Sequence, residues 1–295
     1  MNKEQPLIIV TGANGQLGHE FRVLEKDFPE MRFMFVAKLD LDIAVESWVM
    51  EFITRHKPAG VVNCAAYTNV ETAEDDPESA ALANTYAPGF LASACRSNNA
   101  LLVHFSTDYV FDGEKKESYV ETDAVNPLNV YGNTKLEGER IVDAKMERHL
   151  TIRTSWLYST FGHNFFRTML RLGHENGDLK VVDDQLASPT YARDLAADVL
   201  MVLKKIVVNE EPFEYGLYHY AQHGEASWYD FAKKIMSESG TNAKVNAVKS
   251  DAFPTKAKRP SYSKLDVTKW TQNIGPIMHN WEEGVNACIA DMHNS

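Results

Sequence analysis

Cysteine is scarce in this chain: Cys64, Cys95 and Cys288 are the only three in 295 residues. An odd count at wide spacing builds no disulfide framework and fits a reducing compartment, so a cytoplasmic protein is expected. No pair of cysteines has metal-ligand spacing. His219 and His223 stand at i,i+4 without an accompanying carboxylate motif, so no metal site is expected. The sequence lacks a run of 18 apolar residues, which excludes a membrane-spanning helix. Its start, MNKEQPLIIVTG, enters a strand-like run without the charged, apolar and small-residue order of a secretory signal. Positive charge is in deficit. The net charge of −11 weighs against nucleic acid as a partner and requires a local basic patch for any anionic ligand. No repeat and no low-complexity tract interrupts the chain.

What is present is an alternation. Apolar runs at 7–12 (LIIVTG), 32–37 (RFMFVA), 60–66 (GVVNCAA), 100–107 (ALLVHFST) and 150–155 (LTIRTS) are separated by helix-length segments, among them residues 16–26, 44–56 and 78–97. Continuous apolar strands between helices predict an α/β fold, a doubly wound, Rossmann-like parallel sheet covered on both faces. Ligands are then expected beyond the carboxyl ends of the strands. After Ser155 the rhythm loosens. Helices are predicted over 161–176, 189–205 and 227–239, a sixth strand at 216–221, and a basic, loop-rich stretch over 243–266. The expected plan is an NAD(P)-binding domain of residues 1–155 plus about 190–222. A smaller, interleaved C-terminal substrate lobe takes about 156–189 plus 223–295.

TGANGQLGHEF (11–21) follows the first strand and opens the first helix, with Gly12, Gly15 and Gly18 spaced G-x-x-G-x-x-G. Glycine permits a tight turn and a close approach of backbone to ligand, and a helix N-terminus presents free N–H groups to a pyrophosphate. The spacing alone also suits a plain strand-to-helix turn; its place after strand one favours a dinucleotide. It is not a phosphate-cradling GxxxxGK loop, because no Gly-Lys-Ser/Thr follows. Near the end of strand two stands Lys38, followed by Asp40 and Asp42. A lysine tolerates a 2′-phosphate and an aspartate prefers a free 2′-hydroxyl, so NADPH is expected, with NADH also accepted.

Strand four ends in FSTDYVFDG (105–113), and NVYGNTKLEGER (129–140) places Tyr131 four residues before Lys135, 24 and 28 positions after Thr107. A phenol and an ammonium one helical turn apart share a face. An exposed i,i+4 pair would look the same. On a dinucleotide scaffold, however, a hydroxyl, a tyrosine and a lysine form one acid–base unit: the lysine lowers the phenol's pKa and the hydroxyl holds a substrate oxygen. On this reading Lys135 is there to tune Tyr131.

TGANGQLG, NCAAYTNVETAE, HFSTDYVFDG, NVYGNTKLEGE and RTSWLY, continuing through DDQLASPTYARDLA to KRPSYSKLD, resemble the extended short-chain dehydrogenase/reductase family, within it the branch that reduces nucleotide-linked 4-ketosugars. The resemblance implies reduction of the 4-keto group of a dTDP-linked deoxysugar. Tyr131 would be the catalytic acid, Lys135 its partner and a ribose ligand, and Thr107 the hydroxyl. Gly12, Gly15, Gln16 and Leu17 would line the pyrophosphate, with Gly18 completing the turn. Asp42 and Ile43 would lie near the adenine, Ala65, Ala66 and Tyr67 near the nicotinamide-side ribose, and Phe105 beside the cofactor. Asp108, Tyr109 and Trp156 would contact the sugar, and Arg259 the substrate.

Related dehydratases carry a glutamate after the threonine–aspartate pair; Tyr109 occupies that place here, which argues for simple ketone reduction. Trp156 offers a flat apolar face for a deoxysugar methyl, as it would offer one to a core. Lys256, Lys258, Arg259 and Lys264 could meet a diphosphate or could form a solvated loop. Two further readings remain: a non-catalytic, NADP-binding regulatory subunit like that of methionine adenosyltransferase, and an epimerase or epimerase-reductase of another nucleotide sugar. Some relatives dimerise through magnesium. Glu20 matches one such position but Arg193 stands where another acid would be, so magnesium stays open, a metal-bridged dimer is not expected, and the protein is a monomer or homodimer. The expected partner is a nucleotide sugar, not nucleic acid or membrane.

Overall fold

The computed structural model describes residues 4–175, 177–275 and 279–293. Its centre is set by the apolar runs of the first half. β1 (Leu7–Thr11), β2 (Arg32–Val36), β3 (Gly60–Asn63), β4 (Leu101–Thr107) and β5 (His149–Thr154) follow the chain. Shorter strands come next: β6 (Leu157–Tyr158), β7 (Asp178–Val182), β8 (Leu186–Ala187) and β9 (Thr190–Tyr191). β10 (Gly216–Tyr220), β11 (Ala226–Ser227) and β12 (Lys244–Val248) complete the set. The main sheet has the order β10-β5-β4-β3-β1-β2 and every pairing in it is parallel. This is the doubly wound α/β fold. The strand order reverses at β1, so the crevice lies at the carboxyl ends of β1 and β3.

Burial explains why these runs are continuous rather than alternating. All residues of β1, β3, β4 and β5 are buried, because helices cover both faces. On one face Ile8, Val10, Val62, Val103 and Ile152 pack with Phe21 of α1 (Gln16–Leu24) and with Leu195 and Val199 of a helix at Ala192–Leu203. On the other, Ile9, Val61 and Leu102 meet Val49 and Ile53 of α2 (Glu46–His56), Leu91 of a helix at Ala87–Ser97, and Val142 of a helix at Val130–Lys145. The helices between are α3 (Val70–Ala73), α4 (Pro77–Ala81), α5 (Ala87–Ser97) and α6 (Val130–Lys145). Those beyond are α7 (Phe165–Glu175), α8 (Ala192–Leu203), α9 (Trp228–Glu238), α10 (Thr268–Asn273) and α11 (Trp281–His293).

The helix expected over 78–97 forms, but as α4 and α5 joined by a π-helical turn at Leu82–Tyr86. Such turns concentrate at functional sites. This one aims Asn84, whose side chain accepts from Tyr67 N (2.9 Å) and donates to Thr134 Oγ1 of α6 (3.2 Å). The stretch 243–266, expected as loop, is corrected at its start: Lys244–Val248 pairs in parallel with β7, from Lys244↔Asp178 to Val248↔Val182. The partner lies far away in sequence, and local composition carries no sign of it. A third core gathers Tyr158, Phe166, Phe231, Trp281 and Val285, while the buried Trp270 of α10 joins the α1/α8 face. No helix among the described residues is long and apolar enough to cross a membrane.

Candidate active site

The glycine turn is built by contact. Gly12 has φ +64, and a Cβ there would sit 2.5 Å from Ala65 N and 2.6 Å from the Cys64 carbonyl carbon. Only glycine lets the turns after β1 and β3 approach so closely. Gly15 is the N-cap of α1 and no side chain caps the helix, so its first N–H groups are open to an anion. Gly18 packs on the Gly12 carbonyl, where a Cβ would be 2.5 Å from the oxygen. The strand ends are fastened beneath: Thr11 Oγ1 donates to Asn63 Oδ1 (2.7 Å).

Two cavities meet at Ala65 and Ala66. One, of about 390 Å³, is lined by Gly12, Lys38, Asp42, Ile43, Ala65, Ala66 and Tyr67. The other, of about 480 Å³, is lined by Gly15, Gln16, Leu17, Ala65, Ala66, Phe105, Thr107, Asp108, Tyr109, Tyr131, Lys135 and Trp156 among others. Asp42 and Ile43, expected near the adenine, border the first, and Thr107, Tyr131 and Lys135 the second, while Tyr67, expected near the nicotinamide-side ribose, borders the first. An uncapped helix start beside a turn with no room for a side chain fits a dinucleotide's pyrophosphate. Arg259 lines neither cavity but hydrogen-bonds Tyr109, which lines the second. It borders an adjoining cleft of about 840 Å³ with Lys115, Lys258 and Tyr262, and its Nη2 is 2.6 Å from Glu71 Oε1. Lys256 pairs with Asp75 (2.5 Å) and Lys264 with Glu225 (3.8 Å), so three of the four basic residues singled out in the sequence face acids of the protein itself.

At the adenosine end, Lys38 Nζ lies 3.8 Å from Asp42 Oδ2 and the lysine side chain is largely exposed. Asp40 is committed elsewhere: it accepts from Ala37 N (2.9 Å). Asp42 accepts from Ala44 N (3.0 Å) through its other oxygen.

α6 delivers the tyrosine and the lysine. Asn129 caps it by accepting from Gly132 N (2.7 Å). A Cβ on Gly132 would lie 2.2 Å from the Tyr109 carbonyl oxygen, so glycine seats the helix directly against the β4 end. Lys135 is buried and donates to the Phe105 carbonyl (2.5 Å). Burial draws its pKa down to about 8, against the pull of Glu139 one turn on. Glu139 is held in a buried fork by Arg153 of β5, with contacts of 2.7, 2.9 and 3.2 Å. Burial pushes Tyr131 up to about 12, the neighbouring Thr107 opposes the shift, and the Asp108 charge adds to it. This corrects the expected direction: in the protein alone desolvation outweighs any acidifying effect of Lys135, which spends a donor on the backbone. Asp108 is itself raised to about 7 by burial, although Ser263 Oγ (2.5 Å) and Thr107 Oγ1 (3.1 Å) donate to it. The Tyr109 ring meets Tyr131 edge-on at 6.0 Å.

Several residues at this site were given no role from the sequence. Ser106 borders the cavity with a buried hydroxyl that has no hydrogen-bond partner among the described residues. Ser263 donates to Asp108, and Arg153 holds Glu139 one turn beyond Lys135. Trp228 borders the same cavity, its ring stacked on Trp156. Ser106 belongs in the sequence to the cluster at the end of strand four, without a role; Ser263, Glu139 and Arg153 lie in stretches quoted above but were given none, and Trp228 lies in none of them. Glu20, considered for metal, is fully buried, accepts from Ser159 Oγ (2.5 Å) and pairs with Arg193 (2.8 Å), which also pairs with Asp291 (2.7 Å).

A doubly wound parallel sheet, an uncapped glycine turn at its switch point and a half-buried tyrosine with a buried lysine one helical turn on define a nicotinamide-dependent oxidoreductase of the short-chain dehydrogenase/reductase type. Sequence comparison narrows this: the chain belongs to the family described as RmlD substrate binding domain, which matches residues 6–294. It is 39% identical over 284 residues to the dTDP-4-dehydrorhamnose reductase of Aggregatibacter actinomycetemcomitans, covering 94% of this chain and 96% of that one. A dTDP-4-dehydrorhamnose reductase structure from Clostridium acetobutylicum superposes with a TM-score of 0.91 at 40% identity, over 97% of this chain and 99% of that one. The Bacillus anthracis enzyme of the same name, solved in complex with NADP, gives 0.90 at 36% identity with the same coverage.

Proposed function

We propose that this protein reduces the 4-keto group of dTDP-4-dehydro-L-rhamnose to give dTDP-L-rhamnose, with NADPH as the preferred reductant. The observation that carries the reading is the convergence of Thr107, Tyr131 and Lys135 on one cavity, with the tyrosine held in its protonated form. A ketone becomes an alcohol by gaining a hydride at carbon and a proton at oxygen. When bound, the reduced nicotinamide supplies the hydride. Tyr131 supplies the proton, Thr107 holds the carbonyl oxygen in line with it, and the Lys135 ammonium offsets the phenolate left behind. Gly12, Gly15, Gln16 and Leu17 hold the pyrophosphate, and Lys38 with Asp42 faces the adenosine ribose. Asp108, Tyr109 and Trp156 grip the sugar, and the cleft beside Arg259 receives the nucleotide end. In this scheme residues 1–155 plus about 190–222 carry the cofactor, and the remainder carries the substrate. The family relatives named above and the NADP complex of one of them support the substrate and the cofactor.

The test is a screen of dTDP-, UDP- and GDP-linked 4-ketosugars with NADPH and NADH, followed by loss of reduced-nicotinamide absorbance and identification of the product. The dTDP-4-keto-6-deoxysugar should turn over fastest and yield one 4-hydroxy product. Absence of turnover with every sugar, while NADPH still binds, would refute the reading.

A further inference from the structure

The backbone of Trp156 is in the left-handed region, at φ +46. A bulky aromatic residue avoids that region and stays there only when its surroundings hold it. Its carbonyl accepts from Thr190 N (3.3 Å) and its indole packs on Trp228. The two indoles lie nearly parallel, 10° apart, with ring centroids 3.6 Å from each other, and both border the cavity that contains Tyr131. Trp228 is itself fixed from several sides. It is the first residue of α9, inside the Ser227–Asp230 capping box. Its Nε1 donates to Gln185 Oε1 (3.2 Å), and the Phe165 ring packs on it at 4.5 Å. A rigid ring therefore backs a strained one, and together they make an apolar wall in a cavity otherwise rich in hydroxyls. Face-to-face stacking at this separation is not the arrangement that two indoles prefer on their own, which points to a geometry imposed for the benefit of the cavity.

We propose that Trp228 is the positioning residue that holds Trp156 in place, and that the paired indoles select the 6-deoxy edge of the sugar over a 6-hydroxymethyl edge. This rests on the function proposed above. A methyl group seats against an indole face, whereas a hydroxymethyl group there would lose its hydrogen bonds to water.

The test compares wild type with Trp228→Ala and Trp228→Phe. Near-ultraviolet circular dichroism reads the exciton couplet of the stacked indoles, and steady-state kinetics are measured with a dTDP-4-keto-6-deoxyhexose and its 6-hydroxy counterpart. Trp228→Ala should lose the couplet, raise the KM for the deoxysugar about tenfold and cut the preference for it by about the same factor. The KM for NADPH should stay unchanged. Trp228→Phe, which keeps a flat ring, should recover most of the preference and serves as the folded reference if the alanine variant does not fold. A Trp228→Ala protein that folds and loses the couplet yet keeps the wild-type preference would overturn the proposal; so would a phenylalanine variant no better than a non-aromatic Trp228→Leu. Wild-type protein that reduces neither sugar would instead overturn the function on which the proposal rests.

Discussion

The alkaline limb of the pH–rate profile should belong to Lys135 and should move when Glu139 is changed. Tyr131, held near 12, stays protonated across the working range, so it cannot set that limb. Lys135 is drawn down to about 8 by burial, with Glu139 acting against the shift. The sign for Glu139→Gln follows directly: an anion favours the ammonium, so removing it lowers the lysine pKa further. One helical turn separates the two residues, about 6 Å. A unit charge at that distance is worth roughly 2–3 kcal/mol at an effective dielectric of about 20. The Arg153 fork around Glu139 cancels part of this, so a downward shift of about one pKa unit is expected. At pH 8 the ammonium fraction would fall from about one half to about one tenth, and kcat/KM with it by about fivefold; at pH 6 the loss would vanish. Removing Glu139 also strands the buried Arg153, at a cost of about 3–5 kcal/mol in stability. Urea unfolding should therefore accompany the kinetics, with Glu139→Gln/Arg153→Met as a control. The double variant should regain stability and return part of the limb towards pH 8. A folded Glu139→Gln enzyme with an unmoved alkaline limb would refute the assignment of that limb to Lys135.

Tyr131→Phe removes one hydroxyl and should lower kcat by about 10²–10⁴-fold while NADPH binding, followed by titration, persists; near-normal turnover would exclude Tyr131 as the acid. Lys38→Asp replaces an exposed cation 3.8 Å from Asp42 and should shift relative kcat/KM towards NADH by about tenfold, or about 1.4 kcal/mol; an unchanged ratio would mean that Lys38 does not face the ribose. Asp198 is buried, accepts from Tyr220 Oη (2.9 Å) and is raised to about 7 by burial. Its folded pKa exceeds the unfolded one of 3.8, so the folded state binds the extra proton and stability falls as pH rises from about 4 to about 7. Asp198→Asn should accordingly gain about 2 kcal/mol over wild type at pH 8 and little at pH 4, measured by urea unfolding at both values.

The parts of the site that were legible in the sequence are those whose partners lie within one βα unit. Gly12, Gly15 and Gly18 sit between a strand and its helix, and Thr107, Tyr131 and Lys135 between β4 and α6, so a short spacing carries their geometry. Trp228 and Ser263 were not legible, because each reaches the site from far along the chain and meets Trp156 or Asp108 only in the folded protein. Arg153 and Glu139 were hidden differently: each reads as an ordinary charge, and only burial turns the pair into the rear anchor of α6. The basic run at 256–264 misled for a related reason. Its charges are real, but Glu71 of α3, Asp75 just beyond it and Glu225 reach them in the folded protein. The strand at Lys244–Val248 failed as an expectation because a parallel partner is chosen by tertiary packing rather than by neighbours in sequence.

The direction of chemistry follows from what surrounds Tyr131. A reaction that opens by oxidising a sugar alcohol needs this residue as a phenolate base. A reduction needs it as a neutral acid. Burial disfavours the phenolate, and Asp108, buried beside it, would place a second negative charge nearby. The residue after Asp108 adds no further carboxylate, because it is Tyr109, whose phenol burial also keeps neutral. Elimination of water would need an acid–base group at that place, and an aromatic edge cannot act as one. The cavity thus combines a proton donor, an anchoring hydroxyl at Thr107 and an apolar wall at Trp156. Under the proposed function, that set protonates an alkoxide as it forms. Within the dinucleotide fold, a tyrosine rather than a carboxylate at position 109 argues for reduction over dehydration.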